Sequence, residues 1–284
     1  MRILFTIPHF FGGGSGKHHS QRSNADVRRE SLAKCILALH QHFGSRQSIL
    51  NISSKSYEPA NRDFESEIHV VVFTTAAKHL LDSLPVADDL YQHVPVDVNP
   101  MMLGFQCQRM LRDRWGNYDF YCFLEDDLVL HDPWLFTKMS WFNSHVGDDK
   151  LLMPNRFERG AGPECHKGYV DGPLAPHVTQ KWQNLGEKPE LRSTVMGSSI
   201  LFRRPLNPHS GCYFLNSEQM AHWSRQQYFM DQDASFIGPL ESAATLGVMR
   251  AFDIYKPAAE NANFLEIEHA GDQFLRREWK SDEV

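Results

Sequence analysis

The chain has 284 residues, of which 42% are hydrophobic and 12% aromatic, so it carries enough apolar mass for a sizeable buried core. Aspartate and glutamate total 35 against 29 lysine and arginine residues, a formal net charge of -6. This balance disfavours nucleic acid as a partner, because no basic excess is left for phosphate backbones. The apolar run near the start is interrupted by Thr6, Pro8 and His9, and no segment is expected to span a bilayer.

The start of the chain and the cysteines bear on the cellular compartment. Residues 1–5 run directly into a glycine cluster without a small-residue cleavage pattern, which indicates a first strand rather than a signal peptide. The 5 cysteines are odd in number and widely spaced, and no CxxC pair occurs, which favours reduced thiols. We therefore expect a cytoplasmic protein, and peripheral attachment to a membrane stays open.

The first half of the chain alternates strand-like and helix-like segments. Strands are predicted at 3–10, 68–73, 93–96 and 118–124, and helices at 26–43, 76–84 and 101–115. The β-branched run 68–73 is typical of a parallel strand that is buried on both faces. In the first helix, the apolar residues near helical spacing are Val27, Leu32, Cys35, Ile36 and Leu39. Asn24 or Asp26 would cap this helix, and Gly44 would end it.

The second half is less regular and is predicted to be an α+β extension of the first. Strands are predicted at 150–154, 199–202, 212–215 and 251–255, and helices at 133–143, 217–227 and 241–246. The segments 45–65 and 156–208 lack clear periodicity. The alternation of strands and helices predicts an α/β fold with residues 1–154 and 155–284 as two halves of one continuous domain.

A glycine-rich stretch follows the first predicted strand. A P-loop needs glycine where Phe11 stands and serine or threonine where His18 stands, and a dinucleotide-binding loop needs glycine where Lys17 stands. Both phosphate-binding patterns therefore fail. The stretch from Gly12 to Asn24 is predicted to be a loop, with a flexible lid as its role.

The predicted strand 118–124 ends in three acids, Glu125, Asp126 and Asp127. Ligands of α/β sheets bind at the carboxyl ends of the strands. Three adjacent carboxylates need a counter-charge, and a hard divalent cation such as Mg2+ or Mn2+, shared with a diphosphate, is the usual one. A solvated turn is the alternative, but the apolar residues on both sides of the acids favour a pocket rim with a metal at Asp127.

Residues 121–130, YCFLEDDLVL, resemble the DxD-type motif of GT-A glycosyltransferases, in the EDD form of the N-acetylglucosaminyltransferase I type. The resemblance covers residues 1–154. It implies a GT-A (Rossmann-like) α/β fold with a mixed, mostly parallel sheet, helices on both faces and a C-terminal α+β acceptor lobe. It further implies that Asp127 binds Mn2+ or Mg2+ with the donor diphosphate, while Glu125 and Asp126 contact the donor.

The resemblance also implies donor-binding residues outside the acids. Many such enzymes place a basic residue of the preceding helix near the donor, and Arg109 is the candidate, with an arginine on the helix surface as the alternative. The first strand ends at Pro8, His9 and Phe10, where GT-A proteins hold the nucleotide base. Stacking of His9 or Phe10 on that base is expected, with Phe10 as a core residue as the alternative.

Sugar transfer with inversion needs a carboxylate that removes the proton of the acceptor hydroxyl. Glu241 follows a Gly-Pro turn at the start of a predicted helix and resembles the base of inverting GT-A enzymes, and Asp231 and Asp233 compete for the role. A retaining mechanism would need no such base, so both stereochemical outcomes stay open. By a loose parallel with several GT-A families, His269 is a further metal ligand, with a polar rim residue as the alternative.

Together these expectations describe a metal-dependent, inverting glycosyltransferase. It would move a hexosyl or N-acetylhexosaminyl group from a nucleotide-sugar donor, expected to be UDP-linked, to a hydroxyl of a glycan or glycolipid. Residues 155–240 would set the acceptor specificity. One alternative is a sugar nucleotidyltransferase, which usually carries a glycine-rich signature with Arg and Lys after the first strand. The other is a non-catalytic carbohydrate-binding protein with an acidic metal site.

Overall fold

The computed structural model describes residues 1–12 and 24–277 of the chain. The glycine-rich stretch that was predicted to be a lid lies almost entirely outside these residues. The strands are β1 (Arg2–Pro8), β2 (Ser48–Asn51), β3 (Ser56–Pro59), β4 (Glu67–Thr75), β5 (Gln92–Val96), β6 (Phe120–Leu124), β7 (Leu128–Val129), β8 (Lys150–Leu152), β9 (Asn155–Arg159), β10 (Lys167–Tyr169), β11 (Glu190–Val195), β12 (Ser198–Arg203), β13 (Cys212–Asn216), β14 (Asp253–Pro257) and β15 (Glu266–His269).

The helices connect and cover these strands. They are α1 (Ala25–Phe43), α2 (Leu103–Asp113), α3 (Leu135–Val146) and α4 (Ser217–Ser224). A fifth helix, α5, has an α turn at Pro239–Glu241, a π-helical turn at Ser242–Leu246 and an α-helical end at Gly247–Ala251. Short 3-10 turns lie at Arg62–Phe64, Leu81–Ser83, Asp88–Leu90, Pro100–Met102, Pro176–Val178 and Ala259–Phe264.

Within the described residues, the central sheet has five strands in the order β13-β6-β1-β4-β5. Strands β6, β1, β4 and β5 are parallel, and β13 is antiparallel to β6. Thr6 pairs with Phe123 in the register of β1 and β6, so the residues after both strands emerge side by side at the carboxyl edge. This edge is where ligands of such sheets bind.

Both faces of the central sheet are covered by helices. Ile3, Phe5 and Ile7 of β1 pack with residues of α1 and α3, whereas Leu4 packs on the other side with residues of α2. The alternation follows from the two-residue period of a strand. The prediction of a mixed, mostly parallel α/β sheet with helices on both faces is therefore confirmed.

Two further four-stranded sheets, in the orders β10-β9-β15-β7 and β11-β12-β14-β8, are built mainly from the second half of the chain. Strand β15 lies between β9, to which it is parallel, and β7, to which it is antiparallel. This pairing places His269 opposite Leu128, next to the three acids. None of the helices within 1–12 and 24–277 has the length and apolar character needed to cross a membrane.

Three details differ from the sequence-based expectations. The predicted helix 76–84 is wrong: Ala76 has a φ of 45°, which α-helix does not allow, and only the turn Leu81–Ser83 forms. In α1, Leu32, Cys35, Ile36 and Leu39 are buried as expected, but in the first turn Val27 is exposed and Arg28 is buried. The segment 45–65 holds a hairpin, β2 paired with β3, and β9, β10 and β11 lie in the other segment that lacked periodicity.

Candidate active site

The three acids leave the sheet at the carboxyl end of β6. Their flanks are fully buried, with Leu124 and Leu128 at 0% exposure. The backbone N–H of Glu125 donates to the carbonyl oxygen of Gly211 at 3.0 Å, and that of Leu128 donates to the carbonyl oxygen of Glu125 at 3.2 Å. The acids therefore lie on a fixed turn and not on a solvated loop.

Asp126 is held by two basic side chains. Nη2 of Arg28 donates to both carboxylate oxygens of Asp126 at 2.6 Å, and Nδ1 of His9 lies 2.5 Å from Oδ2. Burial alone would raise the pKa of Asp126, but Arg28 and His9 lower it to about 2. Asp126 is thus an anion at neutral pH, and part of the expected counter-charge of the acids comes from the protein itself.

The arginine at the acids is Arg28 of α1, and sequence reasoning missed it. Arg109, the expected basic residue, is an exposed residue of α2. Arg28 stands on the buried stripe of α1, four residues before Leu32 and seven before Cys35. A charge on an otherwise apolar helical face is the signal that could have identified it.

His9 has a structural role at this edge of the sheet. Its ring is fully buried, and its Nε2 accepts the backbone N–H of Leu80 at 3.1 Å. The proton must then lie on Nδ1, which donates to Asp126. Both ring nitrogens are engaged inside the protein, so His9 orients Asp126 and is not placed to stack on a base. Pro8 and Phe10, on either side of it, are partly buried.

Asp127 and His269, the two predicted metal ligands, come together. Nε2 of His269 lies 3.8 Å from Oδ2 of Asp127, and the backbone N–H of Ala270 donates to the carbonyl oxygen of Asp127 at 2.7 Å. On the other side of the ring, Nδ1 of His269 lies 2.9 Å from Oε1 of Glu158. Although burial lowers the pKa of His269, Asp127 and Glu158 raise it above its usual value.

These residues fit a divalent cation. A carboxylate behind a histidine fixes the ring and leaves the other nitrogen to face an ion, as is usual at metal sites. No group of three or more His, Cys, Asp or Glu side chains suited to a metal occurs in the described part of the chain. Mg2+ sites nevertheless often offer only one or two protein carboxylates, and substrate phosphates and water complete the shell.

Glu125 lies in a tight cradle. Nη1 of Arg156 is 3.6 Å from its Oε2, and Gly211, with a φ of 64°, comes so close that a Cβ there would lie 2.4 Å from the same oxygen. Burial raises the pKa of Glu125 to about 7, although Arg156 counteracts it. Glu125 is thus poised to donate or accept a hydrogen bond at neutral pH.

A buried ionic network supports Arg156 from behind. Its Nε and Nη2 donate to Oδ1 of Asp171 at 3.0 and 2.7 Å, and Nζ of Lys256 donates to Oδ2 of Asp171 at 3.2 Å. Lys256 also donates to the carbonyl oxygen of His209, whose Nδ1 lies 2.8 Å from Oγ1 of Thr245. The network links β9 to the π-helical turn of α5.

Glu241 lies in the first turn of α5, after Pro239, and its side chain is partly buried. It is close enough to Glu125 to contribute to the raised pKa of that residue. The competing acids, Asp231 and Asp233, instead face Arg250, whose Nη1 lies 2.7 Å from Asp231 and 3.7 Å from Asp233. Among the candidate bases, Glu241 thus has an electrostatic interaction with the acids that supports its assignment.

A cavity of about 370 Å3 lies elsewhere, at the amino-terminal end of β4. Its lining includes Ile68, His69, Tyr91 and Tyr118. These residues lie at the end of the parallel strands opposite to Glu125 and the residues after it. The cavity is therefore separate from the carboxyl-edge site.

Comparison with known proteins gives a distant likeness. No family model matches the chain, and no curated protein matches it. Among solved structures, the chain is similar to S. aureus TarS 1-349, crystallised in complex with UDP-GlcNAc, with 12% sequence identity and a TM-score of 0.45. The similarity covers 100% of this chain and 62% of that chain. At this level the similarity does not indicate what the present chain binds.

Proposed function

We propose that this protein is a metal-dependent glycosyltransferase that uses a nucleotide-sugar donor, UDP-linked, and transfers the sugar with inversion to a hydroxyl of a glycan or glycolipid. The observation that carries the proposal is the 3.8 Å approach of His269 to Asp127 at the carboxyl end of β6, with Glu158 behind the histidine ring. This approach supports the proposal because it brings a nitrogen atom from a distant part of the sequence to the last acid of the EDD motif.

The donor side of the site is assigned to the carboxyl edge of the central sheet. Asp127 and His269 would hold Mn2+ or Mg2+, and the bound ion would neutralise charge on the departing nucleotide diphosphate. Asp126, kept ionised by Arg28, offers carboxylate oxygens to donor hydroxyls. Phe10, which is partly buried and follows the carboxyl end of β1, would pack on the nucleotide base.

The acceptor side is assigned to Glu241 and the residues of 155–240. Glu241 would accept the proton of the acceptor hydroxyl as that oxygen attacks the anomeric carbon and the nucleotide leaves. Its place in the first turn of α5 would stabilise the carboxylate through the helix dipole, and its contribution to the raised pKa of Glu125 supports a position near the acids. Arg156 would orient Glu125 toward the sugar, because Asp171 fixes its guanidinium group.

A nucleotide panel tests the proposal. Thermal unfolding of the full chain is measured with UDP, GDP, CDP and dTDP, each with and without Mn2+, and the corresponding donors are then assayed for nucleotide release. We expect one nucleotide to raise the melting temperature, with a larger rise when Mn2+ is present. Asp127→Asn should remove the part of the rise that depends on Mn2+, whereas Asp113→Asn, a matched change at an exposed acid of α2, should not.

Three outcomes would contradict the proposal. If no nucleotide changes the melting temperature and no donor is turned over, the chain is not a glycosyltransferase of this type. If pyrophosphate is released from a nucleoside triphosphate and a sugar phosphate, the chain is a nucleotidyltransferase. If Asp127→Asn leaves the Mn2+-dependent rise intact, the metal is bound elsewhere.

A further inference from the structure

One carboxylate oxygen at the proposed site faces two partners. Oδ2 of Asp127 accepts a hydrogen bond from Nη1 of Arg28 at 3.1 Å and lies 3.8 Å from Nε2 of His269. A cation held between Asp127 and His269 would therefore use an oxygen that the guanidinium group already occupies. Arg28 and a divalent cation are competing counter-charges for the same acid.

The guanidinium group of Arg28 is held beside Asp126 and Asp127. Its side chain is only 5% exposed, and its Nη2 is held by both oxygens of Asp126 at 2.6 Å. In the described part of the chain, Nε of Arg28 is buried without a hydrogen-bond partner. A buried donor without a partner is costly, and an incoming ligand with acceptor oxygens would relieve that cost.

The balance of charges shows what such a ligand must carry. Arg28 and Asp126 neutralise each other, so the carboxylate of Asp127 is left to attract a cation, while the positive charge of Arg28 repels it. A diphosphate would bring negative charge and several acceptor oxygens to both the cation and the guanidinium group, whose planar fork suits phosphate oxygens. Binding of the cation and of the diphosphate would then support each other.

We propose that Arg28 couples cation binding to donor binding. Without a diphosphate, Arg28 occupies Asp127 and keeps the affinity for a divalent cation low; with a diphosphate, Nη1 bonds to a phosphate oxygen and leaves Asp127 to the cation. This inference rests on the proposed function and adds a regulated order to it. The coupling is reciprocal, because any factor by which the diphosphate raises cation affinity also raises diphosphate affinity.

Binding of Mn2+ to the full chain without nucleotide tests the competition, with electron paramagnetic resonance of free Mn2+ as the readout. We expect Arg28→Met to bind Mn2+ about tenfold or more tightly than the wild-type chain, since a neighbouring positive charge is lost in a partly buried site. The matched control is Arg29→Met on the same helical turn. Arg29 bonds Asp26 and Ser83, and its removal should leave Mn2+ affinity unchanged.

A second variant guards against two complications, misfolding and binding of Mn2+ at a freed Asp126. Arg28→Met combined with Asp126→Asn removes the ion pair as a unit, which buried pairs tolerate better than loss of one partner. This double variant should fold, as judged by circular dichroism and a cooperative melt, and should still bind Mn2+ more tightly than the wild-type chain. A gain confined to the single variant would overturn the proposal, because Asp126 and not Asp127 would then be the source.

Titration of UDP completes the test. In the wild-type chain, Mn2+ affinity should be higher with UDP than without it. In Arg28→Met, the ratio of these two affinities should be smaller. UDP should also bind more weakly to Arg28→Met than to the wild-type chain when no metal is present. Equal Mn2+ affinities of the wild-type chain and Arg28→Met would overturn the coupling and leave the proposed metal site standing. If neither chain binds Mn2+ with or without UDP, both the coupling and the metal dependence of the proposed function are refuted.

Discussion

A hydrogen bond between Glu158 and His269 orients the histidine ring, which is a candidate metal ligand. Nδ1 of His269 lies 2.9 Å from Oε1 of Glu158, which is fully buried, and Oε2 of Glu158 accepts the backbone N–H groups of Phe274 and Leu275, both at 2.9 Å. Burial alone would raise the pKa of Glu158, but these hydrogen bonds lower it below its usual value. A single carboxylate thus ties the histidine of β15 to the chain that follows it.

Glu158→Gln should lower Mn2+ affinity by about 10- to 100-fold, as is usual for partners behind a metal-ligating histidine. An amide has one oxygen, so its NH2 group must face either His269 or the two backbone N–H groups, and one set of bonds is lost. Affinity is measured by titration of Mn2+ in the presence of UDP. Glu266→Gln, a change at a partly exposed acid of the neighbouring strand, is the control and should leave affinity unchanged.

Glu241→Gln should leave nucleotide affinity unchanged and lower kcat by about 100- to 10,000-fold, the usual contribution of a positioned base. The amide keeps the size of the side chain but cannot take up the acceptor proton. Steady-state kinetics with varied donor separates kcat from KM. Asp231→Asn is the matched control, since Asp231 pairs with Arg250; loss of activity there, with full activity in Glu241→Gln, would assign the base to Asp231.

Gly211→Ala should destabilise the protein by two effects. The residue has a φ of 64°, which costs an alanine about 1 kcal/mol, and the new Cβ would lie 2.4 Å from Oε2 of Glu125 and 3.0 Å from Leu128. Gly116→Ala isolates the backbone effect, because Gly116 has a φ of 87° and a Cβ at this position would meet no neighbouring atom within 4 Å. Urea unfolding should show a larger loss for Gly211→Ala; equal losses would mean that Glu125 moves freely.

Asp171 should make the protein sensitive to acid. Burial alone would raise its pKa, but Lys256 and Arg156 lower the pKa of Asp171 well below its usual value. Its contribution to stability is therefore complete above the unfolded-state pKa of about 4 and is lost as the pH falls toward the lower folded-state value. Asp171→Asn should cost about 3 kcal/mol or more at neutral pH, because two buried cations lose their shared partner.

Urea unfolding of the wild-type chain and Asp171→Asn between pH 7 and pH 3 checks this expectation. The difference in unfolding free energy should stay constant from pH 7 to about pH 5 and shrink below about pH 4. Lys256→Met reports on the same network from the cationic side. A difference that grows as the pH falls would show that the carboxyl group is not an anion in the folded protein.

The strands and helices with a regular pattern of apolar residues could be predicted from the sequence. The apolar runs of β1, β4 and β6 and the capped helix α1 follow from periodicity and from Asn24, whose side chain accepts the N–H of Asp26. The hairpin β2–β3 could not be predicted in this way, because nearly all of its residues are exposed on both faces. Without a buried face, a strand has no alternating pattern of apolar residues.

The candidate site was predictable only in part, for the same reason. The acids were located because a buried strand runs directly into them, and their position at the sheet edge follows from the topology. The approach of His269 to Asp127 depends on the pairing of β15 with β7, which no local pattern encodes. Arg28 was overlooked because the apolar Val27 beside it suits an inward position by residue type, whereas in the first turn of α1 the arginine is the buried residue.

The pairing of β15 with β7 also bears on biosynthesis. During translation, the acids after β6 leave the ribosome while more than a hundred residues, including the strand with His269, are still to be made. The candidate ligands Asp127 and His269 therefore meet only after β15 has been made. An ion held between these two side chains would depend on the pairing of β15 with β7, and its binding would report that this long-range pairing has formed.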